Sequence, residues 1–226
     1  MPDPDRPRVG FHFDVMCPWA YQASVWIRDV RAQTPLEIDW RFFSLEEINH
    51  VEGKKHPWER PWSYGWGMLR VAALLRRSSM EDCDRFYEAA GHALHVEGRK
   101  PHRPEVAAEI LATIGFDPGL VDEAIADETT HADVKADHDE VVAHGGFGVP
   151  TLVFEDGSHL YGPVVTPPPP TEDAVALWDL VCSMNRFPHL YELKRPKTRQ
   201  DLAFIADQFA PYLSARDWET REKPAP

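Results

Sequence analysis

The order of apolar and polar residues predicts a strand, a helix and a second strand at the start of the chain. Residues 9–15 alternate between apolar and polar side chains, as in a strand with one buried face. Residues 18–34 carry apolar side chains at helical spacing, and Pro18 suits the first turn of that helix. Residues 36–43 are predicted to form another strand. This order most simply makes a parallel β-α-β unit.

A long helical block follows, from about residue 60 to residue 145. Apolar spacing, broken by Ser, Gly and Pro, predicts five helices, at 64–78, 80–97, 104–114, 117–127 and 129–143. Beyond the block, two short strands flank Asp156-Gly157, which predicts a hairpin with a two-residue turn. Thr171 is predicted to cap a helix that runs to about Met184, and residues 198–209 carry one more helical pattern.

These elements predict an α/β protein with a thioredoxin-like fold and an inserted α-helical domain. The two halves of the sheet then lie on either side of the insertion in the sequence. We divide the chain accordingly into the first part of the thioredoxin-like domain (8–58), a helical insertion (59–145), the second part of the thioredoxin-like domain (146–195) and a C-terminal extension (196–226).

Composition and charge narrow the range of functions. The 226 residues include 24 Lys and Arg against 37 Asp and Glu, which gives a net charge of −13. Such an acidic chain repels phosphate backbones, so we expect no nucleic-acid partner. No apolar run approaches the roughly 18 residues of a membrane span, and the start of the chain has no apolar leader. The chain has only three cysteines, which indicates free thiols in a reducing compartment, so we expect a cytoplasmic protein. Because no apolar run is long enough to span a bilayer, we expect no membrane partner.

Cys17 is the strongest candidate for chemistry, because it lies where a predicted strand ends and a predicted helix begins. Unpaired N–H groups and the helix dipole favour a thiolate there, so we expect a lowered pKa for Cys17. A low-pKa thiolate is a nucleophile at neutral pH. Cys83 and Cys182 fall at apolar helical positions, so we expect both to pack in the core and Cys17 to be the most acidic of the three thiols.

Several segments spread over residues 9–195 carry a family resemblance: FDVMCPWAYQASVWI, YGWGMLRVAA, ALHVEG, GVPTLVF, YGPV and LWDLVCSMNRFPHLYELKR. In them the chain resembles the DsbA-type thioredoxin superfamily and, more narrowly, its mycothiol-dependent nitroreductase family. The resemblance implies a nucleophilic Cys17 and mycothiol, or a similar low-molecular-weight thiol, as co-substrate. We expect no bound cofactor. The sequence from about residue 197 onward has no counterpart in this resemblance.

One position departs from the family pattern. The family carries Cys-Pro-Trp-Cys, whereas this chain has Cys17, Pro18, Trp19 and then Ala20. Without a second sulfur one helical turn away, Cys17 cannot close an intramolecular disulfide. We therefore expect chemistry that uses a single thiol.

Further candidate residues flank Cys17 in the predicted fold. Val149-Pro150 resembles the cis-proline that faces the nucleophile in thioredoxin folds. Trp19 either forms a wall for an aromatic or conjugated substrate or packs on the inserted helices. His12 and Asp14 share one face of the first strand. A protonated His12 would stabilise a Cys17 thiolate, whereas a buried, hydrogen-bonded His12 would only fill the core.

The helical insertion offers two more candidates. Trp66 and Arg70 lie one helical turn apart, and in the resembled family this region covers the active site. An aromatic lid that includes them is one interpretation, and packing inside the insertion is the other. The chain has 11 His but neither a Cys-x-x-Cys nor a His-Glu-x-x-His motif, so we expect no metal site.

Three functions stay open at this point. In the favoured one, Cys17 forms a mixed disulfide with mycothiol or a similar thiol, and a second thiol molecule resolves it. In the second, reversible thiolate addition isomerises a hydrophobic, conjugated (polyene) substrate between cis and trans without net redox, as in the related hydroxychromene carboxylate isomerases. That substrate would be free or bound to a carrier protein. In the third, the protein binds partners without catalysis.

Overall fold

In a computed structural model that describes residues 7–217, the fold is built on one mixed sheet. It has four strands, β1 (Arg8–Phe13), β2 (Glu37–Phe42), β3 (Thr151–Phe154) and β4 (His159–Tyr161). Their order in the sheet is β2-β1-β3-β4. Strand β1 pairs with β2 in parallel and with β3 antiparallel, and β3 pairs with β4 antiparallel. The predicted parallel β-α-β unit is confirmed.

The helices account for most of the described residues. They are α1 (Pro18–Gln33), α2 (Leu45–Ile48), α3 (Tyr64–Ser78), α4 (Met80–His95), α5 (Pro104–Thr113), α6 (Leu120–Ala126), α7 (Glu128–Ala143), α8 (Ala174–Asn185), α9 (Arg199–Gln208) and α10 (Ala210–Ala215), with short 3-10 helices at Pro57–Glu59 and Thr171–Asp173. The five helices predicted between residues 64 and 143 are confirmed, with ends that differ by a few residues. Helices α2 and α10 were not predicted. Between residues 7 and 217, no helix has the length and apolarity to cross a membrane.

Two local predictions need correction. The turn at Asp156-Gly157 lies inside a four-residue connection, because β3 ends at Phe154 and β4 begins at His159. The Phe154 N–H donates to the Ser158 carbonyl at 3.0 Å, which closes this longer loop. Thr171 does not cap α8, since it opens the 3-10 helix and its hydroxyl donates to Asp29 at 3.2 Å.

An aromatic cluster joins the sheet to the helices between residues 64 and 143, which we call the helical insertion. The ring of Phe13 on β1 stacks on Tyr87 of α4 with centroids 3.8 Å apart. Trp40 on β2 meets the same tyrosine edge to face at 5.4 Å. On the α1 side, Arg28 donates to the buried Asp84 of α4 at 2.7 Å. The insertion therefore shares one continuous core with the sheet and α1.

Candidate active site

Cys17 lies at the junction that the sequence predicts. Strand β1 ends at Phe13, and the Cys17 N–H donates to the Asp14 carbonyl at 2.9 Å, which turns the chain into α1. Cys17 is the N-cap residue of α1, and its Sγ accepts a hydrogen bond from the Ala20 N–H at 3.5 Å. Pro18 occupies the first turn, where its missing N–H costs nothing. The sulfur thus faces the positive end of the helix.

The loop before β3 supplies the opposite side of the sulfur. The Cys17 thiol donates to the Val149 carbonyl at 3.5 Å. The Val149-Pro150 peptide bond is cis, as predicted from the resemblance. The sulfur therefore sits between the start of α1 and the backbone that leads into β3, although 132 residues separate the two partners in sequence.

The predicted low pKa of Cys17 is wrong for this arrangement. Only 5% of Cys17 is exposed. Burial raises the pKa of its thiol to about 12, and Asp14 acts in the same direction, against the lowering by the Ala20 N–H. Loss of solvent penalises the thiolate more than one hydrogen bond at the helix start stabilises it. Burial also raises the pKa of Cys83 and of the half-buried Cys182, so Cys17 does not stand out as the most acidic thiol.

His12 and Asp14 are both buried, and neither is an activating cation. Burial, reinforced by the charge of Arg41, lowers the pKa of His12 to about 3, so this ring is neutral at pH 7. The prediction that a protonated His12 stabilises the Cys17 thiolate is therefore wrong. Burial raises the pKa of Asp14 to about 7. Its carboxyl oxygens accept from the Met16 N–H at 2.9 Å and the Leu45 N–H at 2.7 Å, which fastens the loop before α1 to the start of α2.

Trp66 and Arg70 are committed to packing inside the insertion. Trp66 is 1% exposed, and its ring contacts Trp58 and His131 at centroid distances of 5.0 and 5.3 Å. The Arg70 guanidinium braces the turn between α6 and α7 by donating to the Thr130 hydroxyl and to the carbonyls of Ile125 and Asp127. These contacts correct the interpretation of an aromatic lid that includes the two side chains.

Aromatic residues that the sequence analysis missed lie close to Cys17 instead. The Trp19 ring meets Phe209, at the start of α10, edge to face at 4.9 Å. Tyr212 of α10 is near enough to Cys17 that a thiolate there adds to the effect of burial, which raises the pKa of Tyr212 to about 12. Tyr161 on β4 responds in the same direction. The i, i+3 spacing of Phe209 and Tyr212 was the available signal, but nothing in it indicated where the two residues would dock.

The remaining thiols do not lie in a comparable setting. Cys83 is fully buried in α4, and Cys182 is half-buried on α8. All three cysteines are free. Among the described residues, no group of three or more His, Cys, Asp or Glu could hold a metal ion. The chemistry available at the site is therefore that of one thiol.

The sheet, with a cis-proline facing an N-capping cysteine, is that of a DsbA-type thioredoxin-fold protein, a class that includes solved structures similar to this chain. Within that class, the chain belongs to the Rv2466c-like family of mycothiol-dependent nitroreductases, whose sequence model matches residues 16–195. The C-terminal helices α9 and α10 lie outside the matched region.

Individual relatives support this placement. The chain is 58% identical over 210 residues to the uncharacterized protein Rv2286c of Mycobacterium tuberculosis, which covers 93% of this chain and 91% of that one. The cytosolic disulfide reductase DsbM from Pseudomonas aeruginosa, solved with GSH, has a TM-score of 0.56 at 16% identity and covers 78% of this chain and 99% of its own. A 2-hydroxychromene-2-carboxylate isomerase has a TM-score of 0.58 at 14% identity, over 79% and 96% of the two chains. At these identities the solved structures show a shared fold.

Proposed function

We propose that this protein is a monothiol oxidoreductase in which Cys17 is the nucleophile and mycothiol, or a similar small thiol, is the co-substrate. The observation that carries the proposal is the setting of the sulfur. Cys17 caps α1, faces the Val149 carbonyl, and has Ala20 in the place of a second cysteine. An intermediate disulfide on Cys17 must then be resolved by a thiol from solution.

The reaction balances with one enzyme thiol. The Cys17 thiolate attacks the mycothiol sulfur of a substrate–mycothiol mixed disulfide, and the substrate leaves as a thiolate that takes up a proton. Cys17 then carries mycothiol in a disulfide. A second mycothiol thiolate attacks that mycothiol sulfur, which releases mycothiol disulfide and restores the Cys17 thiolate. Overall, one free mycothiol is consumed, and the substrate–mycothiol disulfide is exchanged for the substrate thiol and mycothiol disulfide.

The residues around the sulfur have separable roles in this scheme. The Ala20 N–H and the start of α1 stabilise the thiolate, and the neighbouring aromatic side chains exclude water from the mixed disulfide. A nitroaromatic compound, the acceptor class that the family description indicates, is a further electron acceptor to test, and a quinone is another. A reducing cytoplasm that contains mycothiol is the compartment this reaction needs.

Intact-mass measurement tests the proposal. After incubation of the reduced protein with mycothiol disulfide, we expect one mycothiol adduct, and added mycothiol should remove it. Cys17→Ser should form no adduct, because a serine hydroxyl is not ionised at neutral pH. Cys182→Ser is the matched control and should form the adduct like the natural chain. An adduct that persists in Cys17→Ser contradicts the assignment.

A second candidate, cis–trans isomerisation, is favoured by the aromatic surroundings of a thiol that has no partner thiol. Trp19, Tyr161 and Tyr212 lie around Cys17, and such rings suit a conjugated substrate, whether free or carrier-bound. The thiolate would add to one carbon of a conjugated double bond, rotation would follow about the resulting single bond, and elimination would return the thiolate. No electrons are exchanged overall.

Ala20→Cys separates the two candidates. In the redox scheme the added thiol resolves the mixed disulfide, so thiol-dependent turnover persists or rises. In the isomerase scheme it traps Cys17 as a disulfide, so activity falls unless a strong reductant is present. Both activities are measured with and without reductant, using the mixed disulfide of mycothiol with 2-mercaptoethanol and a conjugated polyene thioester. Full activity of Cys17→Ser in either assay would remove Cys17 from that mechanism, and no turnover by the natural chain in both would favour a binding role.

A further inference from the structure

We propose that residues 209–217 form a removable wall of the Cys17 site, in which Phe209 and Tyr212 determine what can reach the sulfur and Asp217 acts as the latch. This segment lies outside the region that the family model matches. The inference concerns access to the thiol, and it holds whether the thiol does redox or addition chemistry.

The wall touches the site at two aromatic contacts. Phe209 is 7% exposed and packs edge to face on Trp19, two residues beyond the nucleophile. Tyr212 stacks at 5.3 Å on the buried ring of His95, whose Nε2 lies 2.8 Å from the Val15 carbonyl in the loop before Cys17. Both aromatic side chains therefore lie against the segment that carries the sulfur.

The end of the wall is held by charge. The Asp217 carboxylate accepts from Lys100 at 2.9 Å, from His102 at 2.7 Å and from Arg103 at 2.6 Å. These three partners, led by Lys100, hold the pKa of Asp217 well below its usual range, so the carboxylate is charged at every working pH. The three partners follow α4 and belong to the insertion. A single carboxylate thus supplies the charged contacts that fix the end of the wall to the insertion.

The segment that leads to the wall makes few contacts of its own. Residues 191–198 form neither helix nor strand, and all of them are exposed. Helix α9 has no buried residue, and in α10 only Ala215 is fully buried. Lifting residues 209–217 would therefore expose little apolar surface beyond Phe209, Tyr212 and Ala215, while the sheet and the insertion keep their common core.

In this proposal the closed wall contributes to the burial that raises the pKa of Cys17. Burial is the largest cause of that shift. Opening would return water to the sulfur while leaving the Ala20 N–H in place, so the thiol would become more acidic in the open form. The same movement would then admit the substrate and activate the nucleophile.

Alkylation of Cys17 tests the inference, and it needs neither mycothiol nor turnover. In a Cys182→Ser background, the rate at Cys17 is measured by peptide mass with iodoacetamide and with the bulkier fluorescein maleimide. We expect Asp217→Asn to raise the iodoacetamide rate about fivefold, the range for loss of a partly exposed ionic latch. Phe209→Leu should raise the maleimide rate more than the iodoacetamide rate, because it widens the passage. Failure of the mycothiol adduct experiment would leave these rates unaffected.

Two matched controls and an internal probe make the result decisive. Asp207→Asn and Phe204→Ala change exposed residues of α9, just before the wall, and should leave both labelling rates unchanged. Cys83 is fully buried in the shared core, so it should stay unlabelled in every variant. Rates at Cys17 that do not change in Asp217→Asn and Phe209→Leu overturn the proposal. So does labelling of Cys83 in parallel with Cys17, since that reports global unfolding.

The salt dependence of labelling is an independent test that keeps Asp217 in place. Partly exposed ion pairs weaken as the salt concentration rises, so about 1 M sodium chloride should weaken the latch and speed labelling of Cys17 in the Cys182→Ser background. Asp217→Asn has no latch to weaken, so its rate should change little over the same range. An equal response of the two proteins to salt counts against Asp217 as the latch.

Discussion

The helical insertion and the C-terminal segment, residues 199–217, both lie beside the Cys17 site, but they are attached in different ways. Ten residues of α3 and nine of α4 are buried, and most of their apolar side chains share a core with the sheet. In the C-terminal segment α9 buries none. The insertion is therefore a permanent part of the fold, whereas the C-terminal segment is held by two rings, the small side chain of Ala215 and one carboxylate. Both regions lie near Cys17, but in our proposal only the weakly attached C-terminal segment can move and so regulate access to the thiol.

The largest effect should come from breaking the insertion's link to α1. Asp84 of α4 accepts from Arg28 and Arg31, each at 2.7 Å, and the Asp84 and Arg28 side chains are only 9% and 10% exposed. Asp84→Ala leaves Arg28 buried without its partner, so we expect the free energy of unfolding to fall by about 3–5 kcal/mol. Urea unfolding measures it.

Asp82→Ala is the control for that change. Asp82 lies on the same helix, but its pairing with Arg85 is longer, at 3.5 Å, and more exposed. It should cost about 0.5 kcal/mol. If the two alanine variants have similar stability, the insertion is not fixed in the way its contacts indicate.

A smaller effect on stability is expected from Phe209→Ala in the C-terminal segment. Phe86→Ala in α4 should cost about 3–5 kcal/mol because that ring is fully enclosed in the shared core. Phe209→Ala can cost no more than the docking of its own segment, about 1–2 kcal/mol. Limited proteolysis should meanwhile cut the exposed residues 191–198 faster in Phe209→Ala than in the natural chain. Equal losses of stability in the two variants would mean that both regions belong to one cooperative unit.

The sequence could predict the long elements of the fold, but not its shortest helices or the length of its hairpin loop. The strand–helix–strand start and the five inserted helices were predictable because apolar periodicity is a local property of long elements. Helices α2 and α10, with four and six residues, carry too little periodicity to be found that way. Asp156-Gly157 indicated where the hairpin turns, but the loop length depends on where Phe154 leaves the sheet.

In the candidate site, too, features with a local signal could be predicted, and features that depend on tertiary packing could not. Cys17 and the cis-proline at Pro150 could be identified, because a strand–helix junction and a family resemblance both point to them. The direction of the Cys17 pKa shift could not, since the burial that raises it comes from residues distant in sequence. Phe209 and Tyr212 come from the far end of the chain and reach the site only through tertiary docking. The strand position of His12 left open whether it is a cation or a buried core residue, and full burial keeps it neutral.

Asp14→Asn tests whether the charge of Asp14 raises the pKa of Cys17. Asp14 has a pKa of about 7, and its charge raises the pKa of Cys17. Below pH 7 the carboxyl is mostly protonated, so the natural chain and the variant should alkylate Cys17 at similar rates. Above pH 7 the natural chain carries the negative charge and the variant does not, so the variant should react faster. The measurement is the rate of iodoacetamide labelling from pH 6 to pH 9.

Asp179→Asn serves as the crossed control for that experiment. Asp179 raises the pKa of Cys182 but does not act on Cys17. It should therefore speed labelling of Cys182 and leave Cys17 unchanged. A difference between Asp14→Asn and the natural chain that is already full at pH 6 would show that the Asp14 side chain acts through structure and not through its charge.

The smallest effect on stability is expected when the same Lys→Gln change is made at an ion pair of the insertion and at the latch of the C-terminal segment. This pair of variants also gives the most direct comparison of the two regions. Lys135 pairs with Asp139 one turn along α7, and Lys100 pairs with Asp217 of the C-terminal segment. Both lysines are partly exposed, at 44% and 33%, so Lys135→Gln and Lys100→Gln should each cost about 0.3–0.5 kcal/mol or less. The melting temperature should fall by about 1–2 °C in either variant. Only Lys100→Gln weakens the latch, so only Lys100→Gln should speed alkylation of Cys17. Equal labelling rates in the two variants, at equal stability, would mean that the charged contacts of Asp217 do not control access to the thiol.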